Sequence, residues 1–141
     1  MLERGAQEVV FTGPVDDDEL RAAYASADLF LCLSEHEGFC VPLLEAMAFD
    51  VPVVAFDTGA VRETLRGGGV LLRDKEPAAV AGLVHRVLND DALRARVMET
   101  QARAMAEVRA TDFGALLLDR LRPVLERAAP LPSAATAGAG S

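Results

Sequence analysis

The stretch Leu29-Phe30-Leu31-Cys32-Leu33-Ser34-Glu35-His36-Glu37-Gly38-Phe39-Cys40-Val41-Pro42-Leu43-Leu44-Glu45 carries the reading of this chain. Its first five residues are a continuous apolar run, the pattern of a parallel strand buried on both faces. Leu43 to Ala48 then reads as an apolar helix. Between strand and helix lies a polar loop with a Gly after its second carboxylate. Glu37 and Glu45 are separated by seven residues, the first in the loop and the second about one turn inside the helix. Ligands of open α/β sheets bind outside the carboxyl ends of the strands, so a site is expected here.

The rest of the chain alternates in the same way. Val9-Val10-Phe11 reads as a strand closed by Thr12-Gly13-Pro14. Asp16 and Glu19 have capping-box spacing ahead of Leu20, Ala23, Tyr24 and Ala27 at helical intervals. Val51 to Phe56 is a further strand. Asp57-Thr58-Gly59 turns into a short helix near Val61 to Leu65, and Gly67-Gly68-Gly69 opens a last strand, Val70 to Leu72. From Pro77 the period is helical. Val80, Leu83, Val84, Val87 and Leu88 mark one helix. Leu93, Val97, Met98, Ala104 and Val108 mark a second, starting at Asp91. Phe113, Leu117, Leu121, Val124 and Leu125 mark a third. The composition from Ala128 onward predicts a disordered tail over 128–141. Strands alternating with helices predict a parallel sheet with helices on its faces.

The length of 141 residues fits one domain, and 51% hydrophobic residues suffice for a core. The net charge is −8, with thirteen arginines and a single lysine that do not cluster. This argues against nucleic acid and against anionic membrane as partners. Cys32 and Cys40 have no metal-like spacing and no nearby pair of histidines, so neither metal nor cofactor is expected. Cys32 reads as a small buried hydrophobe and Cys40 as a loop thiol. Two unpaired thiols without a signal peptide predict a cytoplasmic protein. No apolar run approaches the ~18 residues that span a bilayer.

Taken by themselves, the carboxylates leave several roles open. Glu37 and Glu45 fit an acid and base for glycoside chemistry, or acceptors for sugar and ribose hydroxyls. They equally fit a solvated loop charge and a helix-surface charge favoured by the helix dipole. Thr58, Gly59 and Ala60 lead into a helix N-terminus that can hold phosphate, or form an ordinary turn. His36 reads as a loop residue and His85 as a structural one. Gly67 to Gly69 reads as a turn.

Four blocks together carry a resemblance: Ser34-Glu35-His36-Glu37-Gly38-Phe39, Glu45-Ala46-Met47-Ala48, Val51-Pro52-Val53-Val54-Ala55, and Gly59 with Glu63. Their order and spacing resemble the C-terminal donor-binding domain of GT-B retaining glycosyltransferases, of the family 4 or "glycosyl transferases group 1" type. The resemblance runs from about Glu8 to Leu125. It implies a Rossmann-like parallel sheet with flanking helices, half of a GT-B fold, with the first strands missing. A partial nucleotide-sugar-binding domain is expected over 1–127.

The implied activity is hexosyl transfer from a nucleotide diphosphate sugar with retention of configuration, in polysaccharide biosynthesis. Glu37 would be the first glutamate of the E-x7-E motif and the candidate catalytic residue, holding donor-sugar hydroxyls. Gly38 and Phe39 would present backbone N–H groups to the sugar. Glu45 would bind the ribose, with Thr58, Gly59 and Ala60 lining the cleft. Asp50 and Arg62 depart from the family, standing where Gly and Pro are common. The basic residues that neutralise the departing diphosphate have no match; Arg4, Arg62 and Arg66 do not sit at the family positions. The family's acceptor-binding lobe precedes this domain, so the isolated chain is expected to be inactive, to need that lobe or a partner chain, and to self-associate through its incomplete sheet. The alternatives are a non-catalytic doubly wound interaction or regulatory module, and a GT-B sugar-nucleotide epimerase.

Overall fold

The computed structural model describes residues 9–127. Arg4 and the expected tail at 128–141 lie outside the described residues. The described residues fall into two compact units, divided between Val108 and Arg109.

The first unit holds a parallel sheet of three strands in the order β1-β2-β3: β1 Phe30–Cys32, β2 Val53–Phe56 and β3 Val70–Leu72. Leu31 pairs with Val54 and Ala55 with Leu71, which fixes the register. Helix α1 (Asp17–Ser26) precedes β1, α2 (Val41–Ala48) links β1 to β2, and α3 (Val61–Leu65) links β2 to β3. Helices α4 (Pro77–Asn89) and α5 (Asp91–Ala110) follow the last strand.

The period of two in β2 builds two cores. Val53 and Ala55 join Tyr24, Leu43, Ala46, Met47, Val61, Leu65, Ala104 and Met105 on one face. Val54 joins Leu72, Val80 and Val87 on the other, with Leu29, Leu33 and Phe56 packed against them. The sheet is therefore covered by α1, α2, α3 and α5 residues on one side and by α4 on the other. The capping box at α1 is complete: the Asp16 carboxylate accepts from the Asp18 and Glu19 amides, and the Glu19 side chain accepts from Asp16 N–H.

Two expectations about strands are corrected. Val9-Val10-Phe11 forms no strand, and Phe11 is 93% exposed. A strand needs a partner for its backbone groups, and among the described residues none pairs with these. The run Leu29 to Leu33 is not buried on both faces either. Only Phe30 to Cys32 is strand, and Leu31 is 40% exposed, because β1 is an edge with no neighbour on its outer side among the described residues.

In the second unit, α6 (Phe113–Arg127) starts where Asp112 accepts from the Ala115 amide, and it contains Pro123. Its apolar stripe makes the helix expected from the sequence, yet Phe113, Leu117, Leu121, Val124 and Leu125 are all exposed.

Candidate functional site

The site is built where β1 ends. The chain leaves Cys32, runs through an irregular loop from Leu33 to Phe39, and enters α2 at Val41. Cys40, the residue before the helix, is left-handed at φ 58°, with no side-chain cap. Pro42 stands in the first turn, where a missing N–H costs nothing. This sharp entry puts Glu37 in the loop and Glu45 in the body of α2, both partly buried.

The Glu37 loop is held by its neighbours. Ala60 N–H donates to the Glu37 carbonyl at 3.3 Å, and the Thr58 hydroxyl donates to the Glu35 carbonyl at 2.6 Å. Thr64, buried on α3, donates its hydroxyl to the Phe39 carbonyl. A Cβ on Gly59 would lie 2.1 Å from the Glu37 carbonyl oxygen, and Gly59 has φ +50°. The contact requires glycine there, and the left-handed conformation favours it. Lys75 pairs with the Glu35 carboxylate, holding it below the ordinary carboxylate range, and stands 4.8 Å above the Phe56 ring. Thr58, Gly59 and Ala60 thus lie against the motif loop, and two of them bond its backbone. Gly38 and Phe39 are exposed, and a Cβ on Gly38 would meet nothing within 4 Å.

Glu45 has a different setting. Tyr24 Oη donates to its Oε2 at 3.0 Å. The Tyr24 ring is buried, stacked on Phe49 at 5.5 Å and tilted against Phe30 at 6.0 Å. Burial, and then the Glu45 carboxylate, push the phenol up to about 12. A hollow of about 230 Å³ opens here, lined by Asp17, Leu20, Arg21, Tyr24, Glu45 and Phe49. Tyr24 lies beside the candidate site residue Glu45, a placement that its position in a helical apolar pattern did not reveal; its hydroxyl distinguishes it from the Leu and Ala of the same face.

The structure also brings together residues that spacing left apart. Cys32 Sγ and Cys40 Sγ lie 4.0 Å from each other, and both are free thiols. Burial, then Cys32, then Glu37 push the Cys40 thiol up to about 12. Arg62 is paired with Asp57, so this cation is already engaged beside the second loop. Arg66 caps α3 in a left-handed conformation and is exposed. His36 and His85 are exposed, and His85 contacts Asn89.

The family model described as "Glycosyl transferases group 1" matches residues 2–105. The chain belongs to this family. It is 43% identical over 91 residues to a GDP-mannose-dependent alpha-mannosyltransferase of Mycobacterium tuberculosis, covering 60% of this chain and 24% of that protein. It is 33% identical over 96 residues to the O-antigen chain mannosyltransferase B of Escherichia coli, covering 67% and 25%. Among solved structures it is similar to the C-terminal domain of a glycosyl transferase group 1 family protein from Francisella tularensis. That match has a TM-score of 0.58 and 27% identity, over 69% of this chain and 51% of the other. A sucrose-phosphate synthase from Thermosynechococcus elongatus gives 0.64 and 26%, over 85% and 31%. The chain spans about a quarter of the length of these curated relatives. Its three parallel strands and their helices are those of the C-terminal half of a GT-B glycosyltransferase. No helix among the described residues is long and apolar enough to cross a membrane.

Proposed function

We propose that this group 1 glycosyltransferase chain binds the nucleotide diphosphate sugar in a retaining hexosyl transfer. Glu37 meets the sugar and Glu45 the ribose. The observation that carries the reading is the different mounting of the two carboxylates around one β1–α2 turn. Glu37 sits on a loop pinned by Thr58, Ala60 and Thr64. Glu45 is oriented by a buried tyrosine beside a hollow. A carboxylate accepts from two vicinal hydroxyls, which suits sugar and ribose alike. The exposed backbone at Gly38 and Phe39 leaves room for N–H groups to approach the sugar, and the turn at Thr58, Gly59 and Ala60 closes the same side.

Glu37 acts by positioning. A loop held by backbone bonds fixes the donor's reacting carbon, and a displacement of ~1 Å costs on the order of 100-fold in rate. Retention could also proceed through a carboxylate nucleophile, so mass spectrometry of a complete enzyme carrying this domain, incubated with donor, bears on the role. No glycosyl adduct on Glu37 is expected.

The acceptor and the charge on the leaving diphosphate require a further lobe or a partner chain. Positive charge must meet the diphosphate as the bond breaks. Arg62 is engaged by Asp57, and Arg66 is a solvent-facing cap. The open outer edge of β1 is the seam at which further strands, or a second copy of the chain, would pair. The free thiols fit a cytoplasmic setting.

GDP-mannose is the donor to test first, because the name of the Mycobacterium tuberculosis relative specifies it. Calorimetric titration of the 141-residue chain with GDP-mannose should show binding that Glu45→Gln weakens by ~1–3 kcal/mol. Equal affinity in the variant would remove Glu45 from the site. Incubated with donor and an acceptor panel, the chain alone should release no nucleotide diphosphate above the uncatalysed rate.

A further inference from the structure

Cys32 and Cys40 have no part in the donor reading, yet the fold aims both at Glu37. The two sulfurs and one carboxylate oxygen of Glu37 all lie within 4.8 Å of one another. In tetrahedral zinc, metal–sulfur bonds of ~2.3 Å place two sulfurs ~3.8 Å apart. The two thiols stand 4.0 Å apart before any adjustment.

Each group is anchored by its own backbone. Cys32 is paired with Ala55 in the sheet. The Glu37 carbonyl is held by Ala60 N–H and packed on Gly59. Cys40 is fixed between the Thr64–Phe39 hydrogen bond and the Leu43 amide that donates to its carbonyl at 3.1 Å. Such independent support is what keeps ligands in place without a metal. Cys40 and Glu37 are partly exposed, so an ion and a water have access.

We propose that Cys32, Glu37 and Cys40 form a site for one thiophilic divalent cation of the zinc class, with water in the fourth position. Two sulfurs and a single carboxylate favour zinc or cadmium, whereas magnesium and calcium need a set rich in oxygen. Binding exchanges the two thiol protons for the ion; both protons pass to solvent, and nothing is oxidised or reduced. The ion takes the Glu37 carboxylate. Its competition with donor sugar is a consequence that rests on the donor reading above, so zinc would act as an inhibitor of donor binding.

The probe is cadmium. The 141-residue chain, reduced and free of metal, is titrated anaerobically while the ultraviolet thiolate-to-cadmium charge-transfer absorbance is followed. The absorbance should saturate at one ion per chain and fall when zinc is added. Cys40→Ser should remove at least half of its amplitude. Glu37→Gln should weaken cadmium binding at least about tenfold, since even outer-shell partners of metal ligands cost that much. Circular dichroism checks that each variant is folded; Cys40 and Glu37 are partly exposed, so both remain usable if Cys32→Ser does not fold. Absence of a saturable band in the folded, reduced chain overturns the site, as does unchanged cadmium affinity in Glu37→Gln. Calorimetry with GDP-mannose on the metal-free chain is a separate readout, and its failure removes the donor reading alone.

Discussion

The phenol of Tyr24 donates to Glu45 Oε2 at 3.0 Å, joining α1 to α2 across 21 residues of sequence. The bond orients a carboxylate that would otherwise swing freely on the helix, and it shields one oxygen from water. Its electrostatic trace is the raised phenol, pushed up to about 12 by burial and by Glu45.

Tyr24 is the single tyrosine of the chain, which has no tryptophan, so the phenolate absorbance reports it alone. Its titration should be centred near pH 12 in the folded protein. Glu45→Gln should bring it down, because the carboxylate contributes to the shift. The folded value lies above the unfolded one, so the stability involved is fully present below pH 10 and is lost as pH rises through 12. That loss is about 3 kcal/mol for this buried ring. A wild-type midpoint near 10 would show that Tyr24 is neither buried nor bonded as described.

Gly59→Ala should damage the site from the second loop. Its new methyl would collide with the Glu37 carbonyl, and its φ of +50° is a left-handed conformation that favours glycine. The expected cost is roughly 1–3 kcal/mol of stability, with weaker donor binding through a displaced Glu37 loop. Chemical denaturation and donor titration of the variant measure the two effects. Wild-type values in both would mean that the loops do not touch.

Much of this was legible in the sequence. The 3.6-residue period marked α4, α5 and α6, and the Asp16–Glu19 box marked the start of α1, since both are local signals. Strand length was less legible. The apolar runs at Val9 to Phe11 and Leu29 to Leu33 carry strand propensity, but a strand also needs a partner, and pairing is non-local. The apolar stripe of α6 predicted a helix correctly, while its exposure depends on what packs there. The Glu37 and Glu45 positions followed from the motif. The Tyr24–Glu45 bond and the meeting of Cys32, Glu37 and Cys40 did not, because they depend on how elements far apart in sequence pack.

Gln101 shows the same limit. It is 1% exposed in α5, a polar residue within an apolar pattern. Its side chain accepts from Val53 N–H at 2.8 Å and donates to the Val51 carbonyl at 2.9 Å, satisfying backbone groups at the start of β2. Gln101→Ala leaves both buried groups unpaired and should cost ~2–5 kcal/mol. Urea denaturation measures it. A loss below ~1 kcal/mol would indicate that water replaces the amide.

Asp50 is a position where the chain should gain stability. It follows α2 at φ 57°, a left-handed conformation that glycine adopts without penalty. Asp50→Gly should stabilise by roughly 1 kcal/mol, raising the denaturation midpoint and leaving donor affinity unchanged. A lower midpoint would mean that the Asp50 side chain supports the α2–β2 turn.

Amide chemical shifts of the isotope-labelled, metal-free chain titrated with GDP-mannose report whether Glu37 and Glu45 define the donor site. Saturable shifts are expected at Glu37, Gly38, Phe39, Glu45 and the Thr58 to Ala60 turn, with those near Glu45 reduced in Glu45→Gln. Saturable shifts confined to other surfaces, with these residues unmoved, would contradict it.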